Sequence, residues 1–362
     1  MLVKKYFPRK LLTNAKSTSI KTLAFSLLII GFILAFLLDL ALGSVDIPIH
    51  EVMNILLGQE PEKATWANII LKFRLPKALT ATLAGAALGV SGLQMQTLFK
   101  NPLAGPFVLG ISSGASLGVA LVVLTASVTT PMLLADLGII TDFGLVIAAS
   151  LGAASVLGVM LVVSRRVQDT MTLLILGLLF GYATSAIVSI LLQFSSKERI
   201  QSYIMWTFGS FAGVTWKQLI VLIPVIVLSL LVAVLQSKSL NALLLGESYA
   251  RSLGLTVQKT RFSLISSASI LAGGITAFCG PIAFLGVAIP HLCRSLFNTS
   301  DHRLLIPSVI IMGAILALIA DLFSQLWVSQ MVLPLNAVTA LIGTPVVTWV
   351  ILRRNSQKSF PS

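Results

Sequence analysis

Asp321 sits inside a long apolar run, residues 304–327, where a charged side chain is costly. A carboxylate there suits a proton relay, or an ionic partner on a neighbouring helix. A relay needs a series of such groups, and the apolar runs of this chain offer few. A second candidate is the segment Gly246-Glu247-Ser248-Tyr249-Ala250-Arg251-Ser252-Leu253-Gly254. Glu247 and Arg251 stand four apart and can pair along one helical face. A segment mixing apolar and charged residues in this way is either a solvated surface helix or a docking knob for a partner. The residues for other chemistries are missing. The sequence has no G-x-x-x-x-G-K-[ST] phosphate loop and no H-E-x-x-H motif. Cys279 and Cys293 lie in or beside apolar stretches and make neither a disulfide framework nor a metal cluster. His50, His291 and His302 are scattered without ligand spacing.

The elements that position these groups are set by the solvent. Mean hydropathy is +0.98, 56% of the 362 residues are apolar and 10% are charged. Several apolar runs reach the roughly 20 residues a helix needs to cross a bilayer. Backbone in lipid must satisfy its own hydrogen bonds, which leaves helix bundles or closed barrels. Barrel strands alternate over about 10 residues, whereas these runs are continuous. The fold class is therefore an all-α polytopic membrane protein. Ten spans are expected, at 23–42, 76–97, 106–126, 143–163, 171–193, 216–236, 262–279, 282–297, 304–327 and 334–352. Gly280-Pro281 interrupts one apolar stretch, as a kink, a re-entrant turn or a loop. The first run, Leu23–Leu42, is longer than the roughly 7–15 apolar residues of a cleaved signal peptide, which favours a retained helix.

The net charge of +13 does not point to nucleic acid, because the basic residues cluster in short loops and at the termini. With both termini in the cytoplasm, 18 of the 25 Lys and Arg fall inside, as the positive-inside rule requires. Loop 127–142, with Asp136 and Asp142 and no basic residue, then lies outside. The domain reading is a basic cytoplasmic segment 1–22, one membrane domain 23–353 and a tail 354–362. Within it, 237–261 is the largest inner loop, and its centre reads as a short helix ended by Gly254. An outer segment 43–74 carries an amphipathic piece, Ile49–Leu57, suited to the interface. Glycines at four-residue spacing (Gly85/Gly89, Gly110/Gly114/Gly118, Gly177/Gly181) predict close helix packing. The segments starting at Gly105-Pro106 and Gly280-Pro281 look faintly alike and hint at an internal repeat. With no nucleotide site and no proton chain, a transporter of this make-up needs an external motor, which favours the docking reading of Gly246–Gly254.

Four ordered motifs carry a family resemblance: Arg74-Leu75-Pro76-Lys77 followed by AGAALGVSGLQMQ; Asn101-Pro102-Leu103-Ala104-Gly105-Pro106 followed by VLGISSGAS; LLLGESYARSLGL; and the pair GPIAFLGVAIPHLCR and LPLNAVTALIGTP. Over residues 25–353 the chain resembles the FecCD-like permease subunits of type II ABC importers, which take up iron-siderophores, haem and cobalamin. That resemblance implies a homodimer, two cytoplasmic ATPase subunits that hold the ATP and Mg, and an extracytoplasmic substrate-binding protein. No catalytic residue, cofactor, metal or nucleic acid is expected in this chain, and the location is the bacterial inner membrane.

By position, the resemblance makes Gly246, Glu247, Ala250, Arg251, Leu253 and Gly254 the ATPase-coupling helix. It makes Asn101, Pro102, Leu103, Asp169 and Thr170 the cytoplasmic gate. Asn101-Pro102 also reads as a plain turn. Gly280, Pro281, Pro290, His291 and Arg294 fall in structural or coupling positions. Arg74, Lys77 and Gln325 fall at an outer rim where the binding protein docks. Interfacial snorkelling is the simpler reading of Arg74 and Lys77. Lys77 and Gln325 stand where the family has arginine, and Val332 and Asn336 replace a Glu and a Gly, which weakens the outer ionic pattern. The cargo expected from the resemblance is an iron chelate, siderophore or haem, with cobalamin as the alternative. A secondary transporter driven by an ion gradient is the rival.

Overall fold

The computed structural model describes residues 9–125, 142–167, 169–326 and 332–358. Loop residues 127–141, with Asp136, and residues 1–8 and 359–362 of the two terminal segments lie outside the described residues. Every regular element described is helical: α1 (Arg9–Ala41), α2 (Ile49–Leu56), α3 (Ala64–Ile69), α4 (Leu75–Leu98), α5 (Ile111–Thr125), α6 (Asp142–Arg166), α7 (Thr170–Gln193), α8 (Lys197–Thr207), α9 (Trp216–Leu235), α10 (Ser237–Leu244), α11 (Glu247–Ser252), α12 (Val257–Cys279), α13 (Leu285–Phe297), α14 (His302–Leu326) and α15 (Leu335–Lys358).

Among the described residues, seven helical stretches are long and apolar enough to cross a membrane: Ile20–Ala41, Ala64–Leu98, Phe143–Arg166, Thr170–Gln193, Trp216–Leu235, Val257–Cys279 and His302–Gln325. This is fewer than the ten expected. At the other three expected positions stand shorter apolar helices, Ile111–Thr125, Leu285–Phe297 and Leu335–Trp349. For Leu285–Phe297 the reason is local. A 13-residue helix such as α13 is roughly 20 Å long, against a hydrocarbon core of about 30 Å. Gly280 ends α12 with φ +75, a conformation open to glycine, and an added Cβ would lie 2.5 Å from the Trp206 carbonyl oxygen. Backbone 280–284 is not helical, and α13 starts only at Leu285. The Gly280-Pro281 interruption is thus a short irregular segment feeding a half-length helix.

α4 is the buried axis of the bundle. Nearly every residue from Pro76 to Leu98 is buried, and the helix packs against α14, α12, α13 and α9. Its small residues make this possible. A Cβ on Gly85 would overlap the Gly313 carbonyl of α14, and one on Gly92 would overlap the Gly286 carbonyl of α13. Gly114 and Gly118 of α5 meet Gly152 and Ala148 of α6 in the same way. The glycine spacing therefore marks packing seams at most of its positions. Gly110 differs: with φ +74 it ends the short 3₁₀ turn Pro106–Leu109 ahead of α5. The two look-alike segments also touch, since a Cβ on Gly286 would lie 2.7 Å from Cδ of Pro106.

Span α3–α4 runs through a π turn at Ile70–Arg74. Such a turn inserts a residue and re-aims the side chains that follow. The amphipathic piece forms α2, burying Glu51, Val52 and Ile55 and exposing Ile49, Met53 and Leu56. Helix α8 was not expected, because its polar sequence KERIQSYIMWT carries no long apolar run.

Candidate functional site

The residues singled out by sequence lie at two ends of the bundle. At the basic end, the Asp169 carboxylate caps α7. It accepts from Thr172 N at 2.7 Å and from Thr172 Oγ1 at 2.6 Å. These hydrogen bonds, the side-chain one first, hold its carboxyl below the usual carboxylate range. Asn101 uses its Oδ1 to accept from Leu103 N at 2.9 Å, and its carbonyl accepts from Ala104 N at 3.1 Å. This is the side-chain-stabilised turn its dipeptide favours. Gly246, at φ +115, opens α11, and Gly254, at φ +83, follows its end, donating to the Arg251 carbonyl at 2.9 Å. The short helix ended by Gly254 is therefore present, with Ala250 buried and Leu253 exposed.

A cleft of about 550 Å³ brings two of these groups together. Lys100, Asp169 and Thr170 face Gly246, Glu247 and Tyr249 across it. Leu103 is not part of it. That side chain lines a separate apolar cavity of about 380 Å³ with Phe107, Phe284, Val287 and Val347.

Glu247 reaches Arg251 only at 3.8 Å, through a largely exposed side chain. Its closer partner is Arg261, whose Nη2 donates to Glu247 Oε1 at 2.8 Å. Arg261 is 4% exposed, and its Nη1 donates to the Val167 carbonyl at 3.1 Å. One guanidinium thus bridges α11 and the turn between α6 and α7, two residues before Asp169. In the sequence Arg261 counted only as one basic residue of loop 237–261. A bridging role could be suspected from its position at the head of an apolar run, but no spacing names its partners.

The Pro290–Arg294 stretch grips the end of α4. His291 Nε2 hydrogen-bonds the Pro102 carbonyl at 2.7 Å. Arg294 Nη1 donates to Gln96 Oε1 at 2.5 Å, and Gln96 Nε2 donates to the Val287 carbonyl at 3.2 Å. Nearby, His302 Nε2 lies 2.8 Å from Thr97 Oγ1, while Asn241 Oδ1 accepts from His302 N at 2.9 Å. These contacts tie α4, α10, α13 and α14 into one unit at the basic end.

At the opposite end stand the residues expected at an outer rim. Arg74 and Lys77 are 6% and 7% exposed. Arg74 Nη1 donates to the Leu40 and Ala41 carbonyls at 2.8 Å each, and Nη2 donates to the Val45 carbonyl. These bonds satisfy carbonyls left open where α1 ends. Lys77 Nζ lies 2.7 Å from Asp321 Oδ2 and 3.5 Å from Asp39 Oδ1. Gln325 Nε2 donates to Asp321 Oδ2 at 2.5 Å. All three side chains are committed inside the chain rather than presented at a rim. Asp321 is the centre of a buried ionic cluster that joins α1, α4 and α14. Asp39, fully buried, was missed. Its signal was available: a lone acid within the apolar run Leu23–Leu42. Asn336 also turns inward, its Oδ1 accepting from Ala283 N at 3.1 Å in the irregular segment before α13.

Comparison with known proteins agrees with this architecture. The sequence matches the FecCD transport family over residues 28–353. It is 34% identical over 334 residues to the hemin transport system permease protein HmuU of Yersinia pestis, covering 92% of this chain and 97% of that protein. It is 39% identical over 287 residues to the vitamin B12 import system permease protein BtuC of Klebsiella pneumoniae, covering 78% and 82%. A solved inward-facing structure, described as a metal-chelate type ABC transporter, superposes with a TM-score of 0.79 at 26% identity, covering 91% of this chain and 98% of that one. With the motifs, the helical architecture and these matches in agreement, the chain belongs to the FecCD transport family, as a permease subunit of an ABC-type importer.

Proposed function

We propose that this permease forms, with a second copy of itself, the path by which an iron chelate, a siderophore complex or haem, enters a bacterial cell through the inner membrane. Two ATPase subunits act at the basic end and a substrate-binding protein delivers cargo at the other. Both termini lie in the cytoplasm, which the distribution of Lys and Arg supports. The three shorter helices complete a ten-span frame together with the irregular backbone at 101–105, 280–284 and 332–334. Non-helical backbone is tolerated at membrane depth where protein covers it. The hemin and vitamin B12 permeases among the relatives keep cobalamin as the alternative cargo.

The observation that carries this reading is the cleft in which Asp169 and Thr170 face Gly246 and Glu247. A motor that pushes on α11 acts within one cleft's width of the turn that opens α7. Coupling of this kind needs a two-state interface rather than a catalytic group. The test is reconstitution in liposomes with the cognate ATPase and binding protein. Uptake of ferric siderophore, hemin or cobalamin should require ATP and all three components. Uptake by the permease alone on a proton or sodium gradient would overturn the proposal.

Arg261 sharpens this. It joins Glu247 of α11 to the Val167 carbonyl, so it transmits force as well as holding structure. In the reconstituted complex, Arg261→Ala should lower uptake about tenfold, within the span of 1–3 kcal/mol typical of coupling between sites. ATP hydrolysis should stay within about twofold of the parent, and Arg261→Lys should restore part of the uptake. Parallel loss of both activities would mean that Arg261 only supports the fold.

A further inference from the structure

A second cleft opens at the basic end between the last turn of α6 and the first turn of α12. It measures about 370 Å³ and is lined by Ser164, Arg165, Gln258, Lys259 and Phe262. The lining holds two cations and no acid. Arg165 stacks over the Phe262 ring at 5.4 Å, which fixes the guanidinium beside an apolar surface. None of these residues belongs to the cleft between Asp169 and Glu247.

The surface leading to this cleft says what fills it. α6 exposes one continuous face along its length. Ile147, Leu151, Val159 and Val162 are 52%, 66%, 43% and 60% exposed, and that face ends in Arg165 and Arg166. On α12, Ile270 and Phe262 are exposed above Lys259. A ligand that fits must be anionic at the basic end and apolar along the helices above. A soluble anion has no use for the second feature.

We propose that this cleft binds the phosphate headgroup of an anionic phospholipid in the inner leaflet, with an acyl chain lying along the exposed face of α6. Basic pockets between membrane helices on the cytoplasmic side recognise such headgroups, and each cation near the surface adds attraction. Arg165 and Lys259 contact the phosphate, and Phe262 packs under the glycerol region while holding Arg165 in place. This site is separate from the transport path and does not depend on the cargo.

The test uses the purified full chain, stripped of lipid and titrated with phosphatidylglycerol or phosphatidylcholine, with bound lipid counted by native mass spectrometry. The parent should retain phosphatidylglycerol in preference to phosphatidylcholine. The Arg165→Gln/Lys259→Gln double variant should lose about thirtyfold of that preference, the effect of removing two surface cations. Lys238→Gln, an exposed lysine outside the cleft, should keep it. The proposal fails if the double variant keeps the parent's preference or if Lys238→Gln loses as much. Displacement of phosphatidylglycerol by inorganic phosphate at equal concentration would likewise overturn it, by showing a site for a soluble anion. Thermal unfolding of both variants should match the parent, since the substituted side chains are exposed.

Discussion

Lys77→Met will destabilise this protein more than the loss of any other single charge, by about 3–5 kcal/mol, the cost of leaving a buried ionic partner uncompensated. The side chain is 8% exposed and faces two carboxylates, one 6% exposed and the other fully buried. Taking the ammonium away leaves both acids buried in the protein without their shared partner, with the Gln325 amide on Asp321 and the Arg74 charge near Asp39 as the remaining support. The variant should express poorly and unfold well below the parent in detergent. The same argument predicts which changes are mild. Asp39→Asn leaves a one-to-one pair of Lys77 and Asp321, and should be neutral or stabilising. Gln325→Arg places a second cation beside Asp321, balances the two acids and should recover part of the Lys77→Met loss. Replacing all three members by apolar residues of similar size should cost less than Lys77→Met alone, because an ion pair in a core often gains little over good packing. A Lys77→Met protein as stable as the parent would show that the cluster is not the lock between α1, α4 and α14.

What was legible in the sequence follows from what periodicity and length report. Runs of apolar residues fix where a helix crosses lipid, so the expected span 143–163 reappears as Phe143–Arg166 and 171–193 as Thr170–Gln193. Gly254 stops a helix because its conformation favours glycine, and α11 ends just before it. Partners were not legible. Arg74 and Lys77 stand at the mouth of a span, where either an outward or an inward side chain is reasonable. The π turn at Ile70–Arg74 and the open carbonyls of α1 make the inward choice. Neither is written in a local pattern. Asp39 and Asp321 are far apart in sequence, and only the packing of α1 on α14 brings them to one lysine. Arg261 is similar: the basic count of its loop set the topology, while its bridge to Val167 depends on how α6 meets α12. The residues proposed for the gate and the coupling helix lie between these cases. Their motifs named them, but only the three-dimensional structure shows that Asp169 and Glu247 share a cleft whereas Leu103 faces another.

Gly85→Ala and Gly313→Ala should each lower thermal stability by several kcal/mol, well beyond the ordinary cost of an alanine in a helix. An alanine normally improves a helix by about 0.5–1 kcal/mol over glycine. Here the backbones of α4 and α14 touch at these two residues, and a methyl on either would overlap the carbonyl oxygen of the other. Backbone cannot rotate away as a side chain can, so the two helices must separate. In lipid that separation is not opposed by a hydrophobic drive, and the lost close packing is the whole effect. The same movement carries Gln96 away from Arg294 and Thr97 away from His302, so the basic end loosens with it. The control is Gly158→Ala on α6, where an added Cβ meets nothing within 4 Å; it should be neutral or stabilising. Because one shift makes room for both methyl groups, the double variant should cost clearly less than the two single losses together. Strict additivity in melting experiments would mean that the two glycines act on separate contacts, and the account of α4 as an axis seated against α14 would fall with it.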